Sequence, residues 1–127
     1  MMEKAFEDNE FKKSKDLAVQ IIKEAPSNLN ALRGLGLSCF MLEEYNEALD
    51  CFARALEFSP QQEFEYTYIA WCYCNLNNHI KSCEMFEKAI EINPLYEPAL
   101  SGRTQAVIHL HGDRLEKIEK LEHDLDK

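Results

Sequence analysis

A proline recurs at a fixed interval along this chain, and the segments between the prolines share one apolar pattern. Pro26, Pro60 and Pro94 stand 34 residues apart, and they delimit two full units, residues 29–62 and 63–96. A unit of this length cannot bury its apolar face alone, so neighbouring units have to stack on one another. The period therefore predicts an array of short stacked elements in place of one closed core.

Small and large apolar residues alternate at matching positions in the two units. The first unit has Leu32, Leu35, Gly36, Tyr45, Ala48, Phe52, Ala55 and Pro60. The second has Tyr66, Ile69, Ala70, Tyr73, Phe86, Ala89 and Pro94. This spacing resembles the tetratricopeptide repeat (TPR) family, whose helix–turn–helix units bind other proteins. The resemblance implies an all-α fold: a right-handed superhelical array of antiparallel helix pairs, with about three repeats plus a terminal capping helix.

Each full unit is expected to form two antiparallel helices, because its apolar residues recur with the spacing of one helical face. Gly36 and Ala70 occupy a position at which a small side chain lets the second helix of a unit pack closely. Asn93 is expected to be extended because it precedes a proline, and Ser27 or Asn28 can cap the next helix. The predicted helices are residues 29–42, 45–58, 63–76 and 79–93.

Both ends of the chain depart from the repeat within a single predicted domain of residues 1–127. Residues 1–28 are expected to be a partial first repeat, with a short helix from Met1 to about Asp8 and a second helix before Pro26. Residues 97–127 are expected to be a degenerate last repeat or capping helices, with a turn at residues 111–113. The inner face of the helix before that turn is predicted to carry Leu100, Thr104 and Val107.

The outer face of each unit's first helix is the predicted partner-binding surface. In residues 63–76 the core face is filled by Tyr66, Ile69, Ala70 and Tyr73, so at about 100° per residue other aromatic side chains point away from it. The resemblance implies that this opposite face lines a concave groove in which ligands bind. The alternative is that the groove is narrow, or filled by the chain's own ends, and that the rings only complete the packing. The candidate site residues are Arg33, Leu37, Met41, Phe64, Tyr68, Trp71, Asn75, Gln105 and His109.

One specific role known in the family, the binding of acidic chaperone tails, is not expected here. Some TPR domains hold acidic chaperone tails through a carboxylate clamp of Lys, Asn, Asn, Lys and Arg, and here only Arg33 stands at a clamp-like position. Leu37, Tyr68, Pro98 and Gly102 occupy other places where polar groups would be needed. A tail carboxylate buried without those donors would be costly.

Charge and cysteine usage exclude several other classes of function. A net charge of −9 disfavours nucleic acid and anionic membranes, so the expected partner is a neutral or basic protein or peptide. The five cysteines lack a zinc-type spacing, and Cys72 and Cys74 point to opposite sides of a helix, so neither metal nor cofactor is predicted. Reduced thiols indicate a cytoplasmic or nuclear protein.

These observations favour a non-enzymatic adaptor that holds a peptide or helix of a partner protein in its groove, since no catalytic motif is present. Two alternatives remain open. The chain can be a structural assembly module that forms a homo-oligomer, or binds another subunit, through an uncovered N-terminal end. It can also be a small acidic TPR chaperone for a client protein.

Overall fold

The computed structural model describes residues 2–126, with the side chains of residue 4 and of residues 6–126. Met1 and Lys127, which the predicted domain includes, lie outside the described residues. The described chain is helical, and each helix packs against the next one in the sequence, while the fourth also contacts the sixth. The helices are α1 (Met2–Glu24), α2 (Leu29–Met41), α3 (Tyr45–Phe58), α4 (Glu63–Asn75), α5 (His79–Ile92) and α6 (Glu97–Leu125).

The four central helices form two hairpins, α2–α3 and α4–α5, whose bounds agree with the prediction to within one residue. Local chemistry explains this agreement. Asn28 caps α2 by accepting a hydrogen bond from the Ala31 amide at 3.0 Å. Asn93 ends α5 in an extended conformation, with φ −137° and ψ 94°, as the following proline requires.

The turn inside each hairpin places one residue in the left-handed region. Glu43 has φ 63° and Asn77 has φ 61°, and they occupy the same position of the two units. The next residue then bonds back to the preceding helix: the Glu44 amide donates to the Cys39 carbonyl at 2.8 Å. The turn is therefore one shared structure in both units.

The core consists of large rings held against small residues. Phe52 and Phe86 are fully buried, and Gly36 faces the Phe52 ring so closely that a β-carbon there would lie 2.7 Å from Cζ. Ala70 is also fully buried, so both predicted small positions are confirmed. Four residues were assigned to the core face of α4. Ile69 and Ala70 are buried, while Tyr66 and Tyr73 are half-buried.

The N-terminal segment is one continuous helix, so the predicted break after about Asp8 is wrong. Helix α1 runs unbroken from Met2 to Glu24 and has neither proline nor glycine in its length. A repeat template places a turn here, but no residue of the segment would stop a helix from propagating.

The turn predicted at residues 111–113 is also wrong, because α6 continues from Glu97 to Leu125. A single glycine, Gly112, costs a helix only about 1 kcal/mol, which does not end it. Within residues 97–126 no second helix folds back onto α6, and the predicted inner face is not covered there: Thr104 is exposed and Val107 is 50% exposed. The buried residues of α6 are instead Ala99, Gly102 and Ala106. Within residues 2–126, no helix combines the length and apolar character needed to cross a membrane.

Candidate functional site

An aromatic pocket lies beside the outer face of α4. Three of the predicted site residues, Phe64, Tyr68 and Trp71, are half-buried there, and Phe40 reaches them from α2. The pocket has a volume of about 300 Å³. It is lined by Phe40, Phe64, Thr67, Tyr68, Trp71, Tyr96 and Pro98.

Tyr68 is fixed in this pocket by three neighbouring rings. It stacks on the buried Phe52 with ring centroids 5.5 Å apart and an interplanar angle of 25°. Phe40 meets it edge-on at 5.4 Å, and Phe64 lies 4.8 Å away in a tilted arrangement. Aromatic pairs of this kind contribute about 0.5–1.5 kcal/mol each beyond the area that they bury. The wall of the pocket is therefore rigid and largely apolar.

Trp71 separates this pocket from a second one. Its indole meets the Phe86 ring edge-on at 5.3 Å, and it borders a further cavity of about 270 Å³. We call this cavity the polar pocket. Its lining is Trp71, Cys74, Asn75, Asn77, His79, Gln105 and His109.

The polar pocket contains amide and imidazole groups. The Asn75 amide nitrogen donates to the Trp71 carbonyl at 2.9 Å, which leaves its amide oxygen directed elsewhere. His79 and His109 stack with their centroids 5.2 Å apart, and His79 Nδ1 is buried without a partner among the described residues. Gln105 is exposed on α6. These groups can accept and donate hydrogen bonds next to the indole.

Arg33 is held inside the groove wall by other side chains. Its guanidinium pairs with Glu65, a carboxylate that is only 1% exposed, and Nη2 also donates to Gln62 Oε1 at 2.8 Å. The guanidinium carbon lies 4.9 Å from the centroid of the Phe64 ring. The hydrogen bond with Glu65 raises the pKa of Arg33 above its ordinary value. These contacts engage Nε and Nη2 of Arg33, and its role toward a ligand stays a prediction.

The predicted apolar flank lies outside both pockets. Leu37 is half-buried and packs against the core around Phe52, while Met41 is 50% exposed. The structure thus brings Phe64, Tyr68, Trp71, Asn75, Gln105 and His109 to two adjoining pockets and leaves Leu37 and Met41 apart from them.

Several lining residues were not singled out from the sequence. Tyr96 lies in the connection before α6, where burial raises the pKa of its hydroxyl and the charge of Glu63 adds to the effect. Glu65 is a charged residue within an apolar helix, and it follows Arg33 by nearly one repeat. That spacing was the available signal for a contact between neighbouring units.

A second cluster lies where α1 meets α2 and the start of α3. Cys39, Glu44 and Glu47 bring possible ligand atoms within 4.8 Å of one another. Lys15 from α1 already places its ammonium among them, with Nζ 2.9 Å from Glu44 Oε2 and 3.1 Å from Glu47 Oε2. These carboxylates raise the pKa of Lys15 through their hydrogen bonds. A metal ion would have to displace this lysine, so the cluster serves to join α1 to the first hairpin.

Comparison with known proteins identifies the repeats. Residues 29–62 and residues 66–94 each match a tetratricopeptide repeat model. The probable UDP-N-acetylglucosamine–peptide N-acetylglucosaminyltransferase SPINDLY of Hordeum vulgare is 25% identical over 91 residues, which are 72% of this chain and 10% of that protein. The peroxisomal targeting signal receptor of Kluyveromyces lactis is 29% identical over 63 residues, 50% of this chain and 11% of the receptor. The chain thus spans about a tenth of the length of these relatives.

Solved structures share the fold. The first TPR domain of human RPAP3 has a TM-score of 0.79 at 14% identity, and the similarity covers 88% of each chain. The first TPR of Spaghetti (RPAP3), solved with the HSP90 peptide SRMEEVD, has a TM-score of 0.77 at 15% identity over 86% of each chain. Identities this low show the fold alone. Together with the two repeat matches, they confirm an all-α solenoid of this type, and the chain belongs to the tetratricopeptide repeat family.

Proposed function

We propose that this protein is a non-enzymatic adaptor that binds a peptide or helix of a partner protein across the aromatic and polar pockets. The observation that carries the proposal is the position of Trp71, which is half-buried and borders both cavities. Large aromatic side chains that remain partly open in a concave surface are the usual anchors of protein interfaces. A ligand crossing this indole would contact both pockets at once.

The lining of the pockets suggests what each one accepts. The aromatic pocket presents ring faces, and the nearest cation, Arg33, is paired with Glu65, so an apolar side chain fits there best. The polar pocket offers the Asn75 oxygen and the Gln105 amide, which suit the peptide groups of a ligand backbone. The net charge of −9 favours the approach of a neutral or basic partner.

The charge of the groove disfavours an acidic peptide. A TPR domain with this fold was solved with the acidic peptide SRMEEVD, but its identity to this chain is 15%. Here the positive charge of Arg33 is already compensated by the buried carboxylate of Glu65, so a ligand carboxylate would gain little from it. We expect such a peptide to bind weakly or not at all, and submicromolar affinity by calorimetry would contradict this.

The test is a binding screen of the whole chain with its ring variants. Peptides recovered from a display library are measured against the wild type and against Trp71→Ala and Tyr68→Ala. Each variant should weaken binding by about 2 kcal/mol, or about 30-fold, while helix content by circular dichroism stays the same.

Phe58→Ala is the matched control, because Phe58 is 51% exposed at the end of α3 and lines neither pocket. It should bind every recovered peptide as the wild type does. If Trp71→Ala and Tyr68→Ala also bind normally, the groove is not the site and the proposal fails.

A second candidate function is structural assembly through the N-terminal end. Helix α1 leaves Phe6 66% exposed and Leu17 59% exposed. Leu17, Ala18 and Ile21 also line a cavity of about 300 Å³ against the start of α2. In that case Leu17→Asp would release α1 from its partner or from a second copy, whereas Trp71→Ala would not.

A further inference from the structure

Aromatic side chains make up most of the lining of the aromatic pocket, and none of the described residues that line it is charged. The rings come from α2, from α4 and from the connection before α6, and each is half-buried, so part of every ring stays accessible. The five rings are Phe40, Phe64, Tyr68, Trp71 and Tyr96. A cavity of this composition offers the faces of π systems, which an aliphatic lining would lack.

The rings meet at angles, so they form separate walls of a cavity and not one flat surface. The interplanar angle is 87° between Phe40 and Tyr68, and it is 44° between Phe64 and Tyr68. The volume of about 300 Å³ lies at the lower end of the range of roughly 300–1,000 Å³ that small-molecule sites have. The pocket therefore fits the end group of one ligand side chain.

Rings of this kind attract positive charge. The face of an aromatic ring is electrostatically negative, and it binds a cation that lies within about 6 Å of the ring centroid. One such contact exists beside the pocket, since the guanidinium carbon of Arg33 lies 4.9 Å from the centroid of Phe64. No cation of the described residues lies over Tyr68, Trp71 or Tyr96 in this way. These three rings are therefore available to a cation of a ligand.

The charges near the pocket also favour a cation. Burial raises the pKa of the Tyr96 hydroxyl, and the charges of Glu63 and Glu65 raise it further, against the opposing charge of Arg33. Among the charged groups that act on this edge of the pocket, two carboxylates thus face one guanidinium. The surrounding charge is negative, as is that of the whole chain.

The hydrogen-bonding groups of the pocket select among cations. An ammonium or guanidinium group loses water when it is buried, and each of its N–H groups then needs an acceptor. The Thr67 hydroxyl already donates to the Glu63 carbonyl at 2.8 Å and is 2% exposed, while the indole of Trp71 can only donate. A trimethylammonium group has no N–H to satisfy, and its methyl groups present apolar surface to the rings.

We propose that the aromatic pocket binds the trimethylated side chain of a lysine in the partner protein. The inference rests on the proposed function, and it specifies the group that the aromatic pocket takes: one with an apolar surface and a positive charge. The backbone next to this lysine crosses Trp71 toward the polar pocket, where Asn75 and Gln105 offer hydrogen bonds.

Four peptides with one sequence test charge and methylation separately. Each is Gly-Ala-X-Ala-Gly with blocked ends, in which X is trimethyllysine, lysine, leucine, or the neutral analogue of trimethyllysine with carbon in place of the quaternary nitrogen. Trp71 is the only tryptophan of the chain, so its fluorescence reports binding at the pocket. The trimethylated peptide should bind about tenfold more tightly than each of the others. The lysine peptide carries the same charge, and it controls for general attraction to an acidic chain.

Variants of one ring test the source of this preference. Tyr68→Leu should reduce the preference for trimethyllysine over its neutral analogue about threefold or more, whereas Tyr68→Phe should retain it, because phenylalanine keeps the ring face. Tyr66→Leu is the matched control: Tyr66 is also half-buried on α4, but it lies outside the aromatic pocket. This control should bind all four peptides as the wild type does.

The outcomes separate this proposal from the adaptor function. A neutral analogue or a lysine peptide that binds as tightly as the trimethylated one would overturn the proposal, as would a Tyr68→Leu variant that keeps the full preference. If library peptides bind at Trp71 and the trimethylated peptide does not bind, the adaptor function stands and the proposed ligand group is wrong. If Trp71→Ala and Tyr68→Ala leave the binding of library peptides unchanged, both proposals fail.

Discussion

Gly36 in α2 and Phe52 in α3 are in direct contact: a β-carbon on Gly36 would lie 2.7 Å from Cζ of the Phe52 ring. Phe52 is fully buried, and the Tyr68 ring stacks on it, so a shift of the Phe52 ring would disturb its packing. We expect Gly36→Ala to lower the free energy of unfolding by about 1–3 kcal/mol, measured by urea denaturation.

Gly34→Ala is the matched control, because it lies in the same helix and a β-carbon there meets nothing within 4 Å. Gly34 is half-buried, and alanine at a helical position with open space for its β-carbon should raise the free energy of unfolding by about 0.5–1 kcal/mol. Equal effects at both positions would show that helix propensity, and not the contact with Phe52, determines the outcome.

Removing one partner of the Arg33–Glu65 ion pair should cost more stability than removing the other. Glu65 is 1% exposed and Arg33 is 30% exposed. Arg33→Leu leaves a buried carboxylate without its cation and should cost about 3 kcal/mol or more. Glu65→Leu should cost less, since the guanidinium can turn toward water.

A double-mutant cycle measures this coupling. The variant with leucine at both positions should lose less stability than the sum of the two single changes, because neither charge is left buried alone. Lys13→Leu, which breaks an exposed pair with Glu10 at 3.5 Å, should change stability by about 0.5 kcal/mol at most. Additive losses at positions 33 and 65 would refute the assigned pairing.

The predictable part of this fold rested on local signals. The central helices begin and end near residues that act locally: Pro26, Pro60 and Pro94, and the capping residue Asn28. Each lies within a few residues of the helix end that it determines. The lengths of α1 and α6 were not predicted, because the repeat implied turns near residue 8 and at residues 111–113, where no residue ends a helix and Gly112 only weakens one.

The candidate site also contains residues that local spacing predicts and residues that it does not. Phe64, Tyr68 and Trp71 share one side of α4 by helical geometry, and this could be predicted from their spacing. The partner of Arg33 could not be predicted in that way, since Glu65 meets it only after two repeat units have stacked. Tyr96 was missed because it lies in a connection, where periodicity carries no information.

The two hairpins share one turn, so exchanging the residue types at Glu43 and Asn77 should have opposite effects on stability. Glu43 and Asn77 both have positive φ, a region that asparagine tolerates better than glutamate. Glu43→Asn should raise the free energy of unfolding by about 0.5–1 kcal/mol, and Asn77→Glu should lower it by a similar amount. Thermal unfolding followed by circular dichroism measures both changes. A loss of stability in Glu43→Asn would mean that the glutamate side chain stabilises the turn in another way.

The buried cysteines should resist alkylation until high pH. Burial raises the pKa of the Cys72 thiol from 9.0 to about 12, and burial together with the Cys51 charge does the same for Cys39. Only the thiolate reacts, so the rate at Cys72 in the folded protein should increase about tenfold per pH unit from pH 8 to pH 11.

In guanidinium, where the protein is unfolded, the alkylation rate at Cys72 should instead level off above a pH of about 9, as it does for an ordinary thiol. Because the folded state keeps the proton that the unfolded state releases, the stability of the protein should also fall as the pH rises from 9 toward 12. Mass spectrometry of iodoacetamide adducts follows each cysteine separately, and the half-buried Cys83 should react before Cys72. A folded-state rate at Cys72 that levels off near pH 9 would show that this thiol reacts from an opened state and that its burial does not control the reaction.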